Sequence, residues 1–510
     1  MKIRTLLICF LASSLLFVSQ AKIKQSFDKK DLNMIFEEEK QIHIPVTGTR
    51  YRSAQLSESY SAPAVNVNVV GKADVVTQAT IDNKTVATCT PGKQTPQNEV
   101  TGAVNPGNPN NVVVGCNDYR IYSPEVNAYD GSGGFYRTTN GGKTWKAGFL
   151  PGILKWNHAS PGNYENIADP SISASVKNVF WFCTLAVNRN SLQTGIAVSR
   201  SINSGASWKT TFPVEIKDPS ASNIIISDKP WLAAHPSDPN IAYITWTQFR
   251  RTKPERGIAY TNTSDGGLTW TKPKLISQRD FNQGSVVVID NLAVVHTAWM
   301  TSLGSANGFA YASKSGKTFG PTRILARIDH IASPVAWAHF YTNSFPSLAV
   351  DGQTLHGVWP NWNGKDADIV YIRSTNGGRT WSKPVAIADD PQDQFLPRVA
   401  ARNGLVAVGY LDHNKESESQ YHVSMVSSVD NGTTWTKPLK VSNQSSDPEK
   451  GNRFGYPDCL ATFIGDYNGI DIDSKGGAHL FWTDIRRGNS PGDPENTFDQ
   501  DAYFARVQIK

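Results

Sequence analysis

The chain has 510 residues, of which 18% are charged, with 40 glycines, 14 tryptophans and a formal net charge of only +6. So small an excess argues against nucleic acid or a membrane surface as partner. The composition favours a compact, turn-rich β protein over a helical or disordered one.

At the N-terminus, Lys2 and Arg4 precede an apolar run from Leu6 to Val18, and "SQA" ends at Ala21. This is the pattern of a secretory signal peptide over residues 1–21, followed by an exported (secreted or periplasmic) mature chain. The run is short for a membrane span, and no later segment holds about 18 consecutive apolar residues, so no stable membrane insertion is expected. A retained signal anchor is the alternative. Residues 22–60, with "DKKDLNMIFEEEK", read as a lead-in carrying one helix, and residues 61–510 as one domain.

Export removes Cys9 and leaves Cys89, Cys116, Cys183 and Cys459, enough for two disulfides in three connectivities. No Cys/His cluster has metal-ligand spacing, so neither a metal nor a cofactor is expected. Sequons at Asn83, Asn262, Asn431 and Asn443 matter only in a eukaryotic host.

From residue 137 onward one turn recurs: "RTTNGGKTW", "SINSGASW", "TSDGGLTW", a degenerate "ASKSGKTF", "STNGGRTW" and "SVDNGTTW". The closing aromatics are Trp145, Trp208, Trp270, Phe319, Trp381 and Trp435, about 49 to 63 residues apart. A repeat of that length is one four-stranded unit plus loops. Within each good copy an Asn or Asp accepts backbone N–H groups, a glycine takes positive φ, and the aromatic is buried.

A second repeat marks seven pairs of short apolar strands, from "EVTGAVNP" with "NVVVGC" to "YNGIDIDSKG" with "AHLFW". Seven pairs against six turns predict an all-β, seven-bladed β-propeller, with six blades the alternative. The last unit, "QDAYFARVQIK", lacks a fourth strand, and "AVNVNVV" at Ala64 to Val70 is expected to return and close the ring, removing two sheet edges.

Strand alternation puts the repeated turns on one face and the connections after each second strand on the other, where a site is expected. Glu99, Asp169, Lys229, Gln283, Phe345, Leu396 and Tyr467 lead the inner strands there. Loops on that face carry Arg120, Arg189, Arg250, Arg251, Arg486 and Arg487, and clustered guanidiniums suit carboxylate or sulfate groups. Two long connections add Trp156, His158 and Tyr164, then His330, Trp337, His339 and Tyr341; "EKGNRFGYPD" adds Arg453 and Tyr456. Aromatic faces beside polar groups suit sugar rings, although such residues also pack loops down.

The repeated turn resembles the Asp-box of the sialidase (BNR-repeat) superfamily, and the resemblance covers residues 97–510 as architecture. It implies glycoside hydrolysis with three arginines holding a carboxylate, a tyrosine nucleophile activated by a glutamate, and an aspartate as acid/base. "YRIY" places Arg120 in a context similar to the family's first arginine, with Tyr122 where the family has proline. Carried over by face, Arg250 and Arg486 complete the triad, Tyr467 and Glu99 are nucleophile and activator, and Asp118 is the acid; Trp156 and His339 are further substrate contacts. The expected substrate is an acidic glycan, with a sialidase-like exo-hydrolase as the leading form. A non-catalytic glycan- or protein-binding propeller and a polysaccharide lyase acting through His158, His330, His339 or Tyr467 stay open.

Overall fold

The structure is a computed structural model, and it describes residues 48–57, 65–69, 96–125, 128–189, 191, 193–277, 279–304, 307–338, 340–417, 419–448, 463–486 and 500–509. The signal segment, the lead-in helix, Cys89, Cys459, His339, Arg453, Tyr456 and Arg487 lie outside them. Among the described residues there is no α-helix, and the chain forms seven four-stranded antiparallel sheets. Each sheet packs on the next, and the seventh packs back on the first, giving a seven-bladed propeller.

The ring closes as the sequence predicts. Val65–Asn68 pairs antiparallel with Asp501–Gln508, so the start of the domain supplies the outermost strand of the last blade. Inner strands leave one unpaired edge each around the axis, and side chains of neighbouring blades cap it. Ser171 and Ser173 accept from the N–H groups of Leu232 and Ala234, Ser347 from Val399, Asp351 from Gly404, and Asp471 from Val104. Each satisfied N–H removes a desolvation cost of about 1–3 kcal/mol and ties one blade to the next.

The repeated turns fold alike. In the first, Asn140 accepts from the Thr144 N–H at 3.0 Å, Thr138 Oγ1 accepts from the Gly142 N–H at 3.1 Å, and the Trp145 indole donates to the Gly142 carbonyl at 3.1 Å. Glycine is required in the last copy: Gly432 has φ 75°, and a Cβ there would meet the Tyr371 hydroxyl at 1.9 Å. Every good turn also bonds to the first hairpin of its own blade, as Gly141 does to Asn110 and Gly377 to Gln353. Both sets of hairpins therefore share one end of the ring.

Buried His–Tyr pairs run between strands in two blades, His296 with Tyr311 at 2.7 Å and His356 with Tyr371 at 2.8 Å. Cys116 and Cys183 are buried and unpaired.

Candidate functional site at the propeller axis

At the end of the axis away from the repeated turns, five of the seven inner strands share an irregularity. Pairing slips at Asn98/Thr101, Ala168/Ser171, Asp228/Trp231, Gln283/Val286 and Phe395/Arg398. Glu99, Asp169, Lys229, Gly284 and Leu396 sit in these slips with φ between 47° and 65°. Four of the five are not glycine, and left-handed backbone at such residues costs on the order of 1 kcal/mol each. Bulges of this kind re-aim a side chain out of the alternation of the strand.

The groups so gathered contact one another. Gly465, at φ 102°, lies so close to the Glu99 backbone that a Cβ would meet its nitrogen at 2.7 Å, which lays Asp466 and Tyr467 over Glu99. The Tyr467 hydroxyl donates to the Pro170 carbonyl at 2.9 Å and lies 3.4 Å from Glu99 Oε2. Asn117 donates to the same Glu99 oxygen at 2.8 Å. Lys229 is ion-paired with Asp466, its backbone N–H reaches Asp169 Oδ2 at 3.0 Å, and Asn343 donates to Asp466 Oδ1 at 3.1 Å.

Burial, followed by the charge of Asp169, pushes the Glu99 carboxyl well above the usual range. Burial and then Glu99 push the Tyr467 phenol up as well. Burial alone would lower Lys229, but Asp466, Asp228, Asp169 and Glu99 around it hold it well above the ordinary lysine value. Beneath these groups Arg398 stacks 3.9 Å from the Trp231 ring centroid and 5.4 Å from that of Tyr467, and Trp231 meets Tyr467 edge-on. Tyr467, Lys229, Asp466 and Phe345 line a cavity of about 30 Å³, room for roughly a couple of water molecules.

The structure therefore brings Glu99 and Tyr467 together, with Asp169, Lys229 and Asp466. It does not bring the expected arginines or Asp118 to them. Asp118 receives Arg120 Nε at 2.8 Å and Nη2 at 2.5 Å, plus the Tyr136 hydroxyl at 2.6 Å, all within the first blade. The Arg120 guanidinium lies against Phe149 of the outermost strand. Arg486 is held the same way by Asp484, and reaches Asn443 and Asn66 of the closing strand. Arg250 is half-buried at the end of its strand, where its backbone N–H bonds to Glu255. Arg189 pairs with Asp130, and Arg251 donates to the Pro219 carbonyl. A three-arginine carboxylate clamp is not formed, because each of Arg120 and Arg486 is bound by the aspartate two residues before it.

The loop aromatics serve packing. Trp156 lies against the core between the first two blades, Tyr164 donates to Glu215, and Trp337 stacks on His413 and donates to Asp393. His158 is exposed, and His330 bonds to the Ile331 carbonyl. Sequence reasoning missed Trp231 and Arg398, and gave Asp169 and Lys229 no role. Their signal is the recurring X-Pro step at the slips, in "ADPS", "DKPW" and "LPRV".

No family model and no curated protein matches the chain. Among solved structures it is similar to a protein of unknown function from Dyadobacter fermentans, at 11% identity over 82% of this chain and 96% of that one, TM-score 0.43. It is similar also to the endosialidase of phage phi92, at 10% identity over 84% and 69%, TM-score 0.43. A third is the α-L-arabinanase of Penicillium chrysogenum, at 11% identity over 69% and 94%, TM-score 0.40.

Proposed function

We propose that the protein is an exported, carbohydrate-active propeller whose chemistry is centred on Tyr467 and Glu99. The observation that carries this reading is the 3.4 Å approach of the Tyr467 hydroxyl to a buried Glu99 carboxyl at the axis. A phenol is a weak nucleophile at neutral pH, since its unperturbed pKa is about 10, and needs a base in contact to take its proton. A carboxyl whose pKa is raised by burial is a better base for that task than an ordinary one.

In the reaction so proposed, the Tyr467 oxygen bonds to the anomeric carbon of a glycoside and its proton passes to Glu99. The bond to the leaving oxygen breaks, and that oxygen takes a proton from water. Water then releases the sugar from tyrosine, and the protons return. The leading specific form is an exo-hydrolase of sialidase type in its reacting pair.

A binding protein without turnover is the second reading, favoured by the small volume above Tyr467 and by the absence of the arginine clamp. A panel of fluorogenic glycosides that includes a sialoside tests the first reading. Release by the wild type, abolished in Glu99→Gln, supports it. No release from any member, with glycan-array binding retained, supports the second. New ultraviolet absorbance on uronate polysaccharides would instead indicate a lyase.

A further inference from the structure

The axis has a second cavity. Trp231 and Arg398 form a partition, and beyond it a space of about 490 Å³ runs to the end that carries the hairpin turns. Its walls are the edges of the seven inner strands, with small side chains such as Ala103, Ala233 and Ala349. That volume is in the range of sites for small organic ligands.

The charges of this cavity are unequally satisfied. Its carboxylates are occupied by the protein: Asp351 holds the Gly404 N–H at 2.6 Å, Asp471 the Val104 N–H at 2.8 Å, and Asp290 the Val294 N–H at 2.8 Å, with His296 at 3.3 Å. Its guanidiniums are less so, although the charge of Arg402 is felt by the Asp471 carboxyl. Among the described residues neither Arg398 nor Arg402 is ion-paired; Arg398 donates from Nε to the Asn468 carbonyl at 3.2 Å and otherwise rests on aromatic rings. Both residues are half-buried and line the cavity. They stand four positions apart on the inner strand Gln394–Arg402, so their side chains leave the same face about 13 Å apart, one at the floor and one at the rim.

Every blade arginine that is buried fully has a carboxylate; Arg120 and Arg189 are the two cases. Arg398, half-buried at the inner end of a solvent-reaching space, has no such carboxylate among the described residues. Burial without a counter-ion lowers its pKa to about 10, and an uncompensated enclosed charge is relieved by an anion of the right shape. A guanidinium presents paired donors to a carboxylate or sulfate.

We propose that this cavity is a second ligand site, separate from the Tyr467 cluster, for a small organic anion with a carboxylate or sulfate group seated on Arg398 and with Arg402 at its entrance. The walls leave room for a molecule of mono- to disaccharide size, so a sugar acid is the fitting class. Entry is from the end with the hairpin turns.

Calorimetric titration of the full chain tests this with sodium glucuronate as probe, glucose as the neutral control and sodium sulfate as the inorganic arm. Glucuronate binds and glucose does not. Arg398→Gln weakens glucuronate binding tenfold or more, and Arg402→Gln, at the rim where folding is not at issue, weakens it severalfold without altering glycoside turnover. Sulfate binding as tight as glucuronate binding supports the anion seat and assigns it to the inorganic ion. Equal heats for glucuronate and glucose, or wild-type binding in both arginine variants, overturns the proposal. Loss of glucuronate binding in Tyr467→Phe also overturns it, because the ligand would then sit on the other side of the partition. Binding of glucuronate by a protein that hydrolyses no glycoside leaves this site standing and removes the hydrolase reading alone.

Discussion

Charges inside the blades and charges along the axis are arranged on opposite plans. In the blades buried charges are closed off by their neighbours in three cases: Asp118 with Arg120 and Tyr136, Asp130 with Arg189, Asp484 with Arg486. On the axis the carboxyls of Glu99, Asp169 and Asp466 crowd around one lysine, and among the described residues Arg398 has no counter-ion. Closed pairs specify a sheet. Crowded or unpaired groups raise the energy of the empty protein and gain from a ligand, which is how functional sites are recognised.

The difference can be broken by substitution, and the largest effect is expected in the blades. Asp118→Ala leaves the Arg120 guanidinium buried without a partner, and removing one side of such a pair costs about 3–5 kcal/mol. Urea unfolding should show the loss, with turnover per folded molecule unchanged.

A pH effect of nearly that size resides in the blade interior. Burial lowers the pKa of His356 to about 4. In the unfolded chain its pKa is about 6.5, so the folded state binds this proton less readily. The stability contribution is complete above pH 6.5 and is lost as pH falls from 6.5 towards 4. At about 1.4 kcal/mol per unit the loss approaches 3 kcal/mol. Unfolding of wild type and His356→Gln at pH 7 and pH 4.5 should show a shallower pH dependence in the variant.

On the axis, stability and function should separate. Tyr467→Phe removes the bond to Pro170 and the contact with Glu99, a cost of about 1 kcal/mol. Arg402→Gln should change stability by less than about 0.5 kcal/mol, while glucuronate titration registers a severalfold weaker site. If Arg402→Gln destabilised the protein as much as Asp118→Ala, the distinction between the two regions would fail.

Most of the fold was legible in the sequence because its signals are local and repeated. A turn that needs an Asx acceptor, a glycine and an aromatic writes those residues at fixed offsets, as at Asn140, Gly142 and Trp145. Strand closure was legible from a missing partner for "QDAYFARVQIK". The site was legible only in part. Glu99 and Tyr467 could be found because each leads an inner strand. The arginines were misplaced because a face of the ring does not say where a side chain points. The correcting signal was present: in "DYR" and "DIR" the aspartate and arginine are two residues apart, so on a strand they share a side and pair. Arg398 sits inside "LPRVAARNG", which reads as an apolar strand; the X-Pro step marks the bulge there, and the pairing slip at Phe395/Arg398 gives its place at the axis.

The most direct test of the axial site is glycoside turnover by Tyr467→Phe beside wild type, each corrected for its folded fraction. The account predicts a loss of at least about 100-fold, the scale of proton-transfer and nucleophilic catalysis, with a melting temperature within a few degrees of wild type. Wild-type turnover in Tyr467→Phe would contradict it.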